Sequence, residues 1–199
     1  MNRFCWECGE TVGEALFCPR CHKIQPPDER SYFAILDMPE RLEIDCDELE
    51  AHYHSQARQV HPDRFMTRSE RERAYATEQA ESLNRAYRTL RDPWARARYL
   101  LDLQGVSIPK GQLPADLAEE YFELMDVSDA KILEGFREKL TQILKQQELT
   151  FHDELLAWEA SPADEKVSCL SRISERLGNR SYLESLRLDL EKRSQGFGK

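Results

Sequence analysis

Glycine and proline are scarce in this chain, 8 and 9 in 199 residues. That excludes a fibrous or low-complexity polymer. Long apolar runs are missing as well. Nowhere do ~18 hydrophobic residues follow one another, so a membrane-spanning helix is excluded. The first residues show neither a basic-then-apolar leader nor an arginine-rich transit stretch, and a secreted product is not expected. Basic charge is in deficit: Lys and Arg number 28 against 37 Asp and Glu, a net −9 at pH 7 with a pI near 5.2. Phosphate contacts need a cationic field, so a general nucleic-acid binder is excluded too. After residue 21 cysteine nearly disappears, with only Cys46 and Cys169 remaining.

What is present is charge and helical pattern. Hydrophobic residues make up 40% and charged residues 33%, with a mean hydropathy of −0.70. That balance fits helices with one buried stripe, and the length fits one medium domain or two small ones. The charge is uneven. Every basic residue from 31 to 104 is arginine, and Arg85, Arg88, Arg91, Arg96 and Arg98 face a single acid, Asp92, which predicts a local basic face.

The polar break Gln25-Pro26-Pro27-Asp28 closes a first segment, 1–25. The spacing then predicts a helix over Asp47–Val60, with Leu49, Tyr53, Ala57 and Val60 on one stripe, stopped by Pro62. A second begins near Ser69, where Ser69-Glu70-Arg71-Glu72 reads as a capping box. Its stripe is Ala76, Ala80, Leu83, Tyr87 and Leu90. Two long helices joined by a short turn lie antiparallel. Short helices over Ser31–Leu36 and Trp94–Leu103 complete a domain spanning 30–104, with Gly105 as a helix stop.

The stretch 105–114, with Pro109 and Pro114, reads as a linker. Beyond it, 115–193 reads as three helices. The first is Ala115–Met125. The second carries Ile132, Phe136, Leu140, Ile143, Phe151, Leu155 and Trp158. The third restarts at Ser161-Pro162 and carries Val167, Leu170, Ile173, Leu177, Leu183, Leu186 and Leu190; Gly178 either bends it or ends it early. The expected fold class is all-α: an antiparallel helical hairpin, a C-terminal three-helix bundle and a small N-terminal metal knuckle.

Cys5-x-x-Cys8 and Cys18-x-x-Cys21 each sit on a tight turn that points two thiols at one spot. Four thiolates around Zn²⁺ form a closed structural site with no open position for water. About 25 residues have no core of their own, so the metal would supply their folding energy. Disulfides, a redox dithiol and mononuclear iron are the alternatives the spacing leaves open. His22 reads as a bystander beside a filled shell, and Cys46 and Cys169 as packing or helix-boundary residues.

Between the two hairpin helices lies Val60-His61-Pro62-Asp63-Arg64-Phe65. Proline fixes the corner and keeps the imidazole and carboxylate on display. A catalytic triad lacks a nucleophile nearby. A polar capping turn and a binding tip, whose carboxylate meets a partner's arginine, are the other readings.

His61-Pro62-Asp63 between such helices resembles the J-domain, the hairpin that docks on DnaK-type chaperones. The run Tyr53-His54-Ser55-Gln56-Ala57-Arg58-Gln59-Val60-His61-Pro62-Asp63-Arg64-Phe65 is similar to the HscB family of iron–sulfur cluster assembly, as is Ala80-Glu81-Ser82-Leu83-Asn84-Arg85-Ala86-Tyr87-Arg88-Thr89-Leu90-Arg91-Asp92-Pro93. So are Tyr32–Leu36, Arg96–Leu101 and the C-terminal bundle. The resemblance spans 30–193, and some HscB members carry a four-cysteine knuckle.

The resemblance implies a co-chaperone that stimulates ATP hydrolysis by a DnaK-type (HscA-like) chaperone and delivers an IscU-like scaffold protein, with no catalysis of its own. It implies that His61, Pro62 and Asp63 form the docking tip, steered by Arg58 and Arg64, with Arg68 beside them. The preceding helix departs from the family in carrying Asp47, Glu48 and Glu50. The implied scaffold patch draws on the first bundle helix, as Leu117, Ala118 and Tyr121 in one register or Phe122, Glu123 and Asp126 in the next, facing Tyr182. Ordinary bundle core is the alternative for Leu117, Tyr121 and Tyr182. A monomer is expected, in the cytoplasm or, as a mature form, in the mitochondrial matrix. Two rival functions stay open: a general J-protein whose knuckle recruits another client, and a thiol enzyme using the Cys-x-x-Cys pairs.

Overall fold

The computed structural model describes residues 3–125, 127 and 129–196, with the side chains of 116, 130, 163–168 and 194–196 outside that description. Asp126 and the side chain of Val167 therefore lie outside the described residues. Two compact units divide the chain, Met1–Arg96 and Ala97–Lys199. The elements are α1 (Tyr32–Ile35), α2 (Cys46–Val60), a single helical turn (Pro62–Phe65), α3 (Glu70–Arg91), α4 (Pro93–Leu103), α5 (Ala115–Glu123), α6 (Ala130–Ala160) and α7 (Ala163–Gly196). None of these helices is long and apolar enough to cross a membrane, among the described residues.

In the first unit α3 is the spine, with α1, α2 and the Pro62–Phe65 turn packed on it. Each start has a local cause. Asp45 caps α2 by accepting from the Asp47 and Glu48 N–H groups at 2.9 and 3.1 Å. Ser69 and Glu72 form the expected capping box on α3. Phe33, Leu36, Leu42, Leu49, Leu83 and Leu90 form the buried core, each contributing about 1.5–3 kcal/mol by leaving water. Tyr53 of α2 stacks on Tyr87 of α3, centroids 4.1 Å apart.

One expectation needs correction. Arg96 is not part of a basic face. It is buried, donating from Nε to Leu42 O at 2.7 Å and from Nη1 to Leu90 O, one of the carbonyls left open at the end of α3. Arg85, Arg88, Arg91 and Arg98 remain exposed.

The second unit opens with the end of α4. Gly105, at φ +69°, closes it: the Gly105 N–H donates to Asp102 O and the Val106 N–H to Leu101 O, a Schellman cap. The bundle core is Leu117, Leu124, Leu133, Phe136, Leu140, Leu144, Leu183, Leu186 and Leu190. Phe151, Leu155, Trp158, Ile173 and Leu177 are buried along the distal halves of α6 and α7. Gly178 neither ends nor splits α7, which runs through it. The segment 109–111 crosses there so closely that a Cβ on Gly178 would lie 2.4 Å from Pro109 O, and one on Gly111 2.2 Å from Gly178 O. Glycine costs about 1 kcal/mol inside a helix, and here the crossing requires it.

Candidate functional site

The His-Pro-Asp corner is presented to solvent. The His61 and Asp63 side chains are 58% and 77% exposed, and Pro62 and Arg64 are exposed beside them. The corner is ordered from within. His61 Nδ1 accepts from the Asp63 N–H at 3.3 Å and lies 3.5 Å from Asp63 Oδ2. The Arg64 N–H donates to His61 O at 3.0 Å, and its guanidinium donates to Arg58 O at 3.0 Å. Phe65, buried at the end of the turn, anchors it from below. Arg58 is exposed on the last turn of α2 and Arg68 follows the corner, so cations flank an exposed carboxylate. The arrangement offers a rigid polar tip.

The four cysteines come together. Their Sγ atoms all lie within 4.8 Å of one another, with Cys5–Cys21 and Cys8–Cys18 at 3.6 Å. Four thiolates about 2.3 Å from one tetrahedral ion sit about 3.8 Å apart, so the donor set fits a closed metal site. The two halves repeat one design. The Gly9 N–H donates to Cys5 O and the His22 N–H to Cys18 O, both at 3.0 Å. Gly9 and His22 take the same left-handed turn, at φ +71° and +56°. Isolated bridges, Phe4 to Thr11 and Phe17 to Ile24, close each half. His22 is exposed and stands outside the thiol cluster.

Burial opposes ionisation of Cys5. The N–H groups of Cys8 and Glu7 and the neighbouring thiols outweigh it and bring the Cys5 pKa down to about 6. Cys21 moves the other way. The Lys23 N–H favours its thiolate, but burial and the other three sulfurs push it up to about 12. A cation held by the four sulfurs would resolve that conflict by letting all of them ionise together.

The knuckle is fastened to α3. Trp6 Nε1 donates to Ile24 O at 2.7 Å, and the Trp6 ring meets Tyr75 edge-on at 5.8 Å with the Arg71 guanidinium 4.6 Å above it. Lys23 Nζ donates to Glu72 at 2.8 Å, and Gln79 Nε2 donates to Gln25 O at 3.0 Å. Sequence reasoning did not find these contacts, although it read Glu72 as a capping-box residue. The signal was long polar side chains, Glu72 and Gln79, at helical spacing with the buried stripe of α3.

On α5 the structure separates the two registers. Leu117, 1% exposed, is bundle core and not a surface residue as the implied patch needs, because it shares the inward face with Leu124. Tyr121 is half-buried against that core, its hydroxyl donating to Asp189 at 3.3 Å. Burial and the Asp189 carboxylate push its phenol up. Phe122 is 68% exposed, Glu123 is exposed beside it, and Tyr182 of α7 is 40% exposed. Ile132, expected on the buried stripe of its helix, is instead 50% exposed, and Met125 and Leu188 are exposed apolar residues that sequence reasoning did not single out. Cys46 is exposed at the start of α2 and Cys169 is buried in the bundle.

The model for the DnaJ domain matches residues 31–99. An iron–sulfur cluster co-chaperone protein HscB homolog of Arabidopsis thaliana is 34% identical over 177 residues, covering 85% of this chain and 69% of that protein. The iron–sulfur cluster co-chaperone protein HscB of Homo sapiens is 31% identical over 180 residues, covering 85% and 76%. The crystal structure of human co-chaperone protein HscB superposes with a TM-score of 0.70 at 26% identity, covering 95% of this chain and 97% of that one. With that identity and coverage, the chain belongs to the HscB family of J-domain proteins.

Proposed function

We propose that this protein is a co-chaperone of iron–sulfur cluster assembly that docks on a DnaK-type (HscA-like) chaperone through His61-Pro62-Asp63, stimulates its ATPase and presents an IscU-like scaffold protein to it. The observation that carries the reading is the corner: exposed, internally braced and anchored by Phe65, on a chain of the HscB family. Asp63 offers a carboxylate to a basic partner group, and Arg58 and Arg64 steer the approach to an acidic surface. The scaffold patch on this reading is Phe122, Glu123 and Tyr182, with Tyr121 behind them. The working domains are 30–104 for the J-domain, 105–114 for the linker and 115–193 for the client-binding bundle.

The protein activates hydrolysis on its partner and catalyses nothing itself. The metal is zinc in a structural role. A monomer acting in the cytoplasm, or in the mitochondrial matrix as a mature form, suits the acidic charge. A thiol-enzyme role is opposed by the convergence of all four sulfurs on one spot, since a metal bound there would leave no pair free to exchange.

The test is steady-state ATP hydrolysis by a DnaK-type chaperone. Adding this protein should raise the rate, adding the scaffold should raise it further, and His61→Gln should abolish the effect while leaving the melting temperature unchanged. No stimulation by the unmodified protein overturns the proposal.

A further inference from the structure

The end of α3 nearest the corner carries an unusual junction. Oε2 of Glu72 accepts three hydrogen bonds: from Ser69 Oγ at 2.8 Å, from the Ser69 N–H at 3.2 Å and from Lys23 Nζ at 2.8 Å. The first two are local, and the bond from the Ser69 N–H is one half of the capping box that starts α3, the other half being the Glu72 N–H donating to Ser69 Oγ at 3.3 Å. The third arrives from the metal knuckle. The Glu72 side chain is 4% exposed, so losing one partner leaves a poorly hydrated carboxylate. A single oxygen therefore joins the knuckle to the residue at which α3 begins.

The junction extends along one face of α3. Glu72, Ala76, Gln79 and Leu83 follow one another on its buried stripe, and the first two turns of that stripe carry Glu72 and Gln79. Those turns meet the knuckle. Gln79 donates to Gln25 O, and the wholly buried Gln25 donates onward from Nε2 to the ligand sulfur of Cys5 at 3.4 Å and to Lys23 O at 2.8 Å. Trp6, inside the first Cys-x-x-Cys turn, meets Arg71 and Tyr75. The metal ligands thus sit at one end of a hydrogen-bonded path that ends at the α3 N-cap.

From that N-cap the chain leads straight back to the corner. Ser69 follows Arg68, whose N–H donates to Phe65 O at 2.9 Å and whose carbonyl accepts from Arg73 Nη1 at 2.9 Å. The Pro62–Phe65 turn packs on α3. Where α3 begins therefore sets where the corner sits.

We propose that the metal-loaded knuckle is a clamp that holds the His-Pro-Asp corner in its docking position, with Glu72 and Lys23 as the positioning residues. The clamp rests on the reading that the corner engages a chaperone, and it adds that the knuckle governs how well it does so. Neither residue touches the partner. Both act by fixing the start of α3.

Lys23→Met in the full-length, zinc-loaded protein tests this, because it removes the ion pair and leaves the Ser69–Glu72 capping box whole. Glu72→Gln is the matching variant, since glutamine also serves in a capping box. Hydrogen exchange is read at the amides of Asp63, Arg64, Glu72 and Arg73, with those of Leu83–Leu90 as the internal reference. Exchange at the first group should quicken roughly fivefold in both variants, with the reference unchanged. The protein concentration giving half-maximal stimulation of the chaperone ATPase should rise roughly threefold to tenfold, with the maximal rate unchanged, because the docked state remains the same. Stripping zinc from the unmodified protein with a chelator should reproduce the exchange change, and adding zinc back should reverse it.

Unchanged exchange at the corner in Lys23→Met overturns the clamp. Altered exchange with an unchanged half-maximal concentration overturns its link to docking. If even the unmodified protein fails to stimulate a DnaK-type chaperone, the functional reading falls, and the exchange measurement still decides the clamp.

Discussion

A buried residue and its exposed neighbour on one helix have different consequences when truncated, and α5 carries such a pair. Leu117 is enclosed by the bundle, so Leu117→Ala should destabilise the second unit by about 2–5 kcal/mol, read by denaturant titration. Phe122 faces outward, so Phe122→Ala should leave stability within about 0.5 kcal/mol while weakening recovery of the scaffold in a pull-down. A similar loss of stability in both would remove Phe122 from the proposed patch. Glu72 makes a pH prediction. Burial raises its pKa, but the bonds from Lys23 and Ser69 outweigh that and hold it below the ordinary carboxylate value. A carboxylate depressed in the folded state stabilises above its unfolded pKa, about 4.3, and loses that contribution as pH falls through its folded value. Carbon-13 titration of the Glu72 carboxyl should therefore show a midpoint under that reference value.

Among the elements, α3 and α7 show how much rests on one terminus or one crossing. Ser69→Ala removes the hydroxyl half of the α3 capping box, the bond from the Glu72 N–H, and should cost about 1 kcal/mol, seen as a lowered denaturation midpoint with unchanged cooperativity. On helix propensity alone, Gly178→Ala should stabilise α7 by about 1 kcal/mol. The Pro109 carbonyl reverses the sign, because it lies 2.4 Å from where the new methyl must go and is backbone that cannot swing away. The substitution should destabilise the second unit by about 1–3 kcal/mol. A more stable Gly178→Ala protein would mean the crossing segment moves freely.

For the whole molecule, the two units should answer differently to metal. The knuckle's own cluster is small, Cys5, Val12 and Cys18 with Cys8 and Cys21 against them, so a bound ion would supply much of its folding energy. Chelation should release one equivalent of metal and loosen the segment 3–25. The second unit, with its leucine core, should keep its exchange protection. Simultaneous loss of protection in α6 and α7 would contradict this separation.

The chain itself announced whatever depends on near neighbours. Cys-x-x-Cys turns, the Ser69–Glu72 box, the proline-braced corner and the phases of α2, α3 and α6 follow from residues within a turn or two of each other, where chain geometry leaves few alternatives. Contacts between distant segments could not be read that way. Lys23 and Glu72 are 49 residues apart, and Arg96 finds Leu42 O across 54; such partners depend on how helices pack, not on local spacing. The same holds for which side of α5 faces water and for why α7 tolerates Gly178. A periodic stripe marks one face of a helix, and only the neighbours that cover it determine whether that face is core or contact.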